Sequence, residues 1–301
     1  MIVVSVIITT YNSAQFIRDT IQSVYNQEGI DRDFKIQLIV VDDQSKDDTV
    51  EILKQFPTLE YFVNERNSGG PNVGRNKGLS MVKGAFVTFL DHDDQWKVNR
   101  LKAQLKFQNY SIITCGYDIF KDQMPVSTVC NKNEKGWIEY AENETFLSKL
   151  ARDPQGQICY MGSILLSSKL KHILFEETYG KCDYDYILRI LKDNNSVEVC
   201  MPLFDRFVES NNLSLNEQYR LQDYSVNNQM FTQFQHEFPE AVKKGKLRLN
   251  AALGRYYFQQ SKGVEARKYL LKARLGVVNI SLILTSFFAK NLVNKFFNVF
   301  S

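Results

Sequence analysis

Several large classes are excluded by what the sequence lacks. Its five cysteines, Cys115, Cys130, Cys159, Cys182 and Cys200, are an odd number, and no two have the spacing of a zinc knuckle or a redox pair. Reduced, mostly buried thiols are expected. No basic segment precedes the apolar residues 1–8 and no small-residue cleavage site follows them, so they read as a first strand and not a signal peptide. A cytoplasmic location is expected. No uninterrupted spanning segment occurs either: the apolar stretch 280–300 is broken by Lys290, Lys295 and several asparagines. With 44% hydrophobic and 24% charged residues over 301 positions, neither disorder nor a polytopic membrane protein fits. Such a chain can bury a sizeable core in one main domain with an appendage.

Charge of one sign is scarce in the last fifth of the chain. Residues 243–301 hold 12 of the 37 Lys and Arg but a single acidic residue, Glu265. That leaves 25 basic and 33 acidic residues before them, or about −8 against about +11. An anionic surface or partner is expected for the tail, and no nucleic acid.

What is present is an alternation. Residues 1–8 are a near-continuous Val- and Ile-rich run, the pattern of a parallel strand covered on both faces. Residues 36–41, 59–63 and 85–90 read as three more strands. Between them fall three helices: one capped by Asn12-Ser13 with Phe16, Ile17, Ile21 and Val24 at helical spacing, one capped by Asp47 and stopped by Pro57, and one over about 73–81. This order predicts a doubly wound open sheet, which binds ligands beyond the carboxyl ends of its strands.

Polar clusters stand at those ends. Thr9-Thr10-Tyr11-Asn12 follows the first strand, Asp42-Asp43 the second and Asp91-His92-Asp93-Asp94 the fourth, while the loop 64–72 supplies Asn67 and two glycines before Arg75 in the first helical turn. Crowded carboxylates repel unless a cation or donors offset them, and hard, oxygen-seeking cations are the usual bridge to a diphosphate. The Asp-rich run is therefore either a metal-diphosphate site or a turn capping a helix predicted near Trp96. Arg75 is either a diphosphate contact or a surface ion pair. His92 is expected to face solvent between two inward carboxylates.

Taken together, Val40-Val41-Asp42-Asp43-Gln44-Ser45 with Asp47 and Thr49, Asn67 with Gly69 and residues 74–78, and Leu90-Asp91-His92-Asp93-Asp94 resemble the successive motifs of the family 2 glycosyltransferases of the GT-A fold. The resemblance covers roughly residues 1–215. It implies a mixed α/β sheet with a nucleotide-sugar-binding half over 1–110, an acceptor-binding half over 111–215 and a helical extension over 216–301. By the same resemblance Thr9 and Tyr11 line the base pocket, Asp42 and Asp43 accept hydrogen bonds from the base or ribose, Asp91 holds the ribose, and Asp93 ligates Mg2+ or Mn2+ on the diphosphate. Asn67 and Arg75 join the donor contacts.

In the second half, Lys181-Cys182-Asp183-Tyr184-Asp185 precedes Ile187, Leu188 and Leu191 at helical spacing, which puts Asp183 at a helix start, where a carboxylate caps open amides. The run also resembles the family's Glu-Asp-Tyr-Asp segment, whose Asp is the catalytic base. Asp183 matches that Asp, and Cys182 stands where Glu is usual. Residues 203–214 are similar to the strand and loop that close over the donor; Val208 and Glu209 replace the family's His, and Arg206 is expected to meet phosphate. Trp137 is an aromatic of a mixed core in preference to a sugar platform. Helices are predicted at 145–152, 217–236, 241–260 and 264–275, and the last stretch reads as an amphipathic helix suited to a membrane interface or to a second subunit.

The implied activity is inverting transfer of a sugar from a nucleotide-diphosphate donor, a uridine one by preference, to a hydroxyl of a cell-surface glycan or lipid-linked acceptor. Alternatives are a sugar nucleotidyltransferase, disfavoured because Thr9-Thr10-Tyr11-Asn12 is not a basic Gly-rich loop, and an idle nucleotide-sugar or glycan-binding module.

Overall fold

A computed structural model describes residues 1–208, 216–274 and 276–287. β1 (Ile2–Thr10) is buried from Val4 to Ile8, as its β-branched run requires. It pairs in parallel with β2 (Phe34–Asp42) on one side and β4 (Phe86–Asp91) on the other, and β3 (Glu60–Val63) adds outside β2. Register matters here: Thr10 lies opposite Asp42 and Thr9 opposite Asp91. Three strands therefore end level, at the point where the strand order reverses across β1.

α1 (Ile17–Tyr25), α2 (Thr49–Leu53) and α3 (Pro71–Met81) make the crossovers. α3 lies tight on β1 because Gly74 and Gly78 leave room there: a Cβ would stand 2.9 Å from Thr9 and 2.5 Å from Ile7. Two helix starts differ from expectation. Asn12 does not cap α1; its backbone is left-handed, its side chain accepts from Lys46 N and its amide donates to Ser45 Oγ, tying the β1 loop to the β2 loop. Trp96 lies in the short strand β5 (Gln95–Trp96), and the helix after it, α4, spans Arg100–Gln104.

The sheet continues through β6 (Ile112–Lys121), β7 (Met124–Val129), β8 (Trp137–Tyr140), β9 (Leu165–Ser167) and β10 (Ser196–Val208). Its order is β3-β2-β1-β4-β9-β6-β10-β5, with β7 beside β6 and β8 beside β10. β9 runs antiparallel to both β4 and β6 while β10 is parallel to β6, so the sheet is mixed. α5 (Glu144–Leu150) and α6 (Tyr184–Leu191) accompany this half. Trp137 packs against the core 5.7 Å from Phe107, an aromatic of the interior as expected. All five cysteines are free thiols, and burial pushes those of Cys115 and Cys200 up to about 11.

Of the described residues, those within 1–146 and 156–219 form one compact unit, and those within 147–155 and from 220 to 287 form a second. The second unit is helical: most of α7 (Glu217–Phe234), then α8 (Pro239–Gln259), α9 (Gly263–Leu270) and α10 (Val277–Thr285). Its core gathers Leu253, Tyr257, Phe258, Ala266, Leu270 and Leu282. Among the described residues no helix is long and apolar enough to cross a membrane. Glu209, the polar loop 211–214 and most of the expected terminal helix lie outside the described residues.

Candidate active site

A cleft of about 530 Å3 opens in the first unit over the ends of β1, β2 and β4. Thr9 and Tyr11 line it from β1, Asp43 from β2, and Asp91, His92, Asp93 and Asp94 from β4. The level strand ends alone bring these residues together. His92 is half-buried on the cleft wall, and Thr20 Oγ1 donates to its carbonyl at 2.8 Å, which fixes the turn.

Each carboxylate has its own environment. Asp42, expected beside Asp43 at the donor, does not line the cleft: it is fully buried, and its oxygens accept from Ser45 N and Ser45 Oγ at 2.9 and 2.5 Å, which fixes the turn after β2. Asp43 accepts from Asn64 Nδ2 at 2.8 Å and from Ser68 N at 3.0 Å, so the loop 64–70 folds around it. Asn67 donates to Asp43 O at 2.9 Å and lines the cleft as part of that loop.

Asp91 is gripped from two sides. Arg75 Nη2 donates to one oxygen at 3.2 Å and Tyr160 OH to the other at 2.9 Å. Arg75 is only 5% exposed and lies 5.2 Å over the Phe175 ring, which rules out a surface ion pair; among the described residues its Nη1 has no hydrogen-bond partner. Arg206 stacks on Tyr160 at 4.6 Å and also lines the cleft. Two guanidiniums thus flank the carboxylates and can meet negative oxygens.

Crowding shows in the acidities. Burial pushes the Asp93 carboxyl up, His92 pulls it back and the charge of Asp91 raises it further. Asp94 lies well above the usual carboxylate range, first through burial and then through Asp93 and Asp91. One Asp94 oxygen accepts from Phe207 N at 3.0 Å, and the other, though buried, has no partner among the described residues. An orphaned carboxylate oxygen beside Asp93 suits a hard cation with oxygen ligands. Among the described residues no three ligating side chains converge on one point, so such a cation would draw further oxygens from a bound diphosphate and water.

Asp183 enters the same cleft from the other half. It is the N-cap residue of α6, where Ile187 N donates to its carbonyl at 2.9 Å, but its side chain makes no capping hydrogen bond. The carboxylate lines the cleft instead, next to Lys181. Asp185, two residues on, is buried and bonded to Arg189 at 2.6 Å, and Cys182 is buried, so neither faces the cleft.

Two residues that sequence reading missed place Asp183. Asn72, fully buried on α3, donates to Glu176 O and Cys182 O, both at 3.0 Å. One turn later Asn76 donates to Phe175 O at 2.9 Å and accepts from Phe175 N at 2.8 Å. Asn-x-x-x-Asn on the helix behind the glycine loop was the available signal, since both amides face one side. Tyr160 was also missed as a site residue, and nothing in its local sequence points to Asp91.

A mixed sheet of this order, with a cleft at its reversal point lined by carboxylates and arginines, is the GT-A fold. Solved structures agree on the fold: residues 1–349 of Staphylococcus aureus TarS in complex with UDP-GlcNAc superpose with a TM-score of 0.63 at 19% identity, covering 94% of this chain and 79% of that one. The same protein with UDP gives 0.60. The family model for glycosyl transferase family 2 matches residues 5–164, and the chain belongs to that family. Relatives include a putative teichuronic acid biosynthesis glycosyltransferase of Bacillus subtilis, 34% identical over 52% of this chain and 64% of its own length. A poly(ribitol-phosphate) β-N-acetylglucosaminyltransferase of S. aureus, TarP, is 27% identical over 76% of this chain and 71% of its own. A β-1,3-glucosyltransferase of Campylobacter jejuni acting on a diphosphoundecaprenol-linked glycan is 40% identical over 35% of this chain and 34% of its length. The chain therefore spans less than two thirds of two of these three relatives.

Proposed function

We propose that the chain transfers a sugar from a nucleotide-diphosphate donor, with uridine as the base, to a hydroxyl of a cell-envelope glycan or lipid-linked acceptor, with inversion at the anomeric carbon. The observation that carries this reading is the meeting of Asp43 from the end of β2 and Asp91 and Asp93 from the end of β4 with Asp183 in one cleft. The relatives' acceptors, teichuronic acid, poly(ribitol-phosphate) and a diphosphoundecaprenol-linked glycan, and the UDP and UDP-GlcNAc of the structural neighbour support it.

In this reading Tyr11 and Asp43 hold the base and Asp91 the ribose, kept in place by Arg75 and Tyr160. Asp93, with Asp94 behind it, would hold Mg2+ or Mn2+, which when bound offsets charge on the departing diphosphate. Arg206 adds a second positive charge at the leaving group. Asp183 accepts the proton of the acceptor hydroxyl as that oxygen attacks from the face opposite the diphosphate. A single displacement of this kind inverts the centre.

The test is calorimetric titration of UDP-, GDP- and CDP-sugars with Mn2+ and with chelator. Binding restricted to UDP donors and weakened by chelator supports the assignment; preference for another base removes uridine, and indifference to chelator removes the metal.

A further inference from the structure

The second unit carries a surface that its own fold leaves unsatisfied. α10 buries Asn279 and Leu282 against the helical core, while Val277, Val278, Leu284 and, just past the helix, Phe287 stand outward. With Val264 and Leu271 of the α9 region, these side chains are 60–86% exposed. An ordinary soluble monomer scatters its exposed apolar residues, and this density over so short a segment marks a contact surface.

Basic side chains run through the same segment. Lys262, Lys268, Lys272 and Arg274 are exposed, and no acidic residue occurs from Ala266 to Phe287. Arg267 joins the two features directly: its guanidinium lies 4.0 Å over the Phe287 ring and donates to Ser286 O at 2.9 Å, so positive charge and exposed apolar surface adjoin. A second copy is a poor occupant. A twofold interface sets a patch against itself, and Glu265, the one carboxylate of the segment, cannot offset the five cations Lys262, Arg267, Lys268, Lys272 and Arg274 that would face their own copies. An anionic lipid leaflet supplies both the apolar layer and the opposite charge.

We propose that residues 262–287 form a docking surface for an anionic membrane leaflet, in which Leu284 and Phe287 enter the interface while Lys268, Lys272 and Arg274 meet lipid phosphates. This goes beyond the transfer reaction and does not depend on it.

Co-sedimentation of the full chain with phosphatidylcholine vesicles, with and without about a third phosphatidylglycerol, tests it. Binding is expected with the anionic vesicles alone, falling as salt rises. The K268E/K272E variant should lose roughly tenfold or more in affinity, and L284E/F287E a comparable factor that persists at low salt. Both pairs are solvent-exposed, so unchanged circular dichroism and melting temperature are expected alongside. Equal pelleting on neutral vesicles, unchanged binding by L284E/F287E, or a stable dimer that L284E/F287E breaks would each overturn the proposal. Because the assay reads no sugar transfer or donor binding, its failure leaves the transfer reading untouched.

Discussion

The two halves of the cleft are built in different ways. On the β1–β4 side, position follows from topology: parallel strands in register end level, so Thr9, Asp43 and Asp91 meet because Thr9 faces Asp91 and Thr10 faces Asp42 in the sheet. On the other side, no strand end delivers a carboxylate. Long-range side-chain hydrogen bonds hold this side instead, among them Asn72 to Glu176 O and Cys182 O beside Asp183, and Tyr160 to Asp91. A site can thus combine one wall fixed by the backbone ladder with another fixed by a few side-chain amides and hydroxyls. The second wall should be the easier to displace by single substitutions.

The largest effect is expected where this second wall meets the chemistry. Asp183→Asn should lower kcat by about 10²- to 10⁴-fold, the usual worth of a positioned base, with donor affinity unchanged in a calorimetric titration. Asp185→Asn, whose carboxylate is bonded to Arg189, serves as the comparison and should leave the pH profile of transfer intact. Equal turnover by the Asp183 variant would remove its assignment as base.

Next comes the support behind it. Asn72→Ala strips the buried Cys182 carbonyl and the part-buried Glu176 carbonyl of their donor, which should cost about 1–3 kcal/mol of stability and, by loosening Asp183, about tenfold in kcat with little change in donor affinity. A loss of donor binding in step with kcat would show that the two walls are not separable.

Tyr160→Phe should act on the opposite wall. Removing the hydrogen bond to Asp91 leaves the ring stacked on Phe204 and costs roughly 1 kcal/mol, read as about a fivefold weaker donor Kd with kcat preserved.

The smallest effect lies away from the cleft. Glu198 is buried on β10, and burial raises its carboxyl above the ordinary range despite hydrogen bonds from Ile158 N, Asn131 and Tyr140. The folded state therefore favours the protonated form. Its penalty is absent below the unfolded carboxylate pKa and grows as pH rises through the raised folded value. Glu198→Gln should melt higher than the parent by about 2–4 °C at pH 8, and the gain should vanish near pH 4. A gain that grows on acidification would reverse the sign of the argument.

This contrast also accounts for what the sequence could and could not reveal. Strand and helix order over the first 90 residues, the helical extension and the rim clusters were legible because buried strands read as Val and Ile runs and loops as Gly, Asn and Asp, whereas the mixed sheet followed only from the family resemblance. Asp42 was misplaced because adjacent carboxylates at a strand end point to opposite faces, and sequence does not say which one turns back to Ser45. Asn72, Asn76 and Tyr160 were missed because their partners lie 69 to 110 residues away, beyond any local pattern. Arg100 shows a different limit: fully buried, it lies 4.3 Å over the nearby Trp96 and 5.3 Å over the distant Phe204, and nothing in its local sequence marks it as an interior cation.

One measurement bears on the centre of the account. Calorimetric binding of UDP with Mn2+ to Asp43→Ala, Asp91→Ala and Asp93→Ala, each checked for folding, asks whether three strand-end carboxylates serve one ligand. The account predicts that all three weaken binding by about tenfold or more, and that chelator erases the difference between Asp93→Ala and the parent. Parent-like affinity in all three variants would mean that these carboxylates, although neighbours in the cleft, do not hold a nucleotide there.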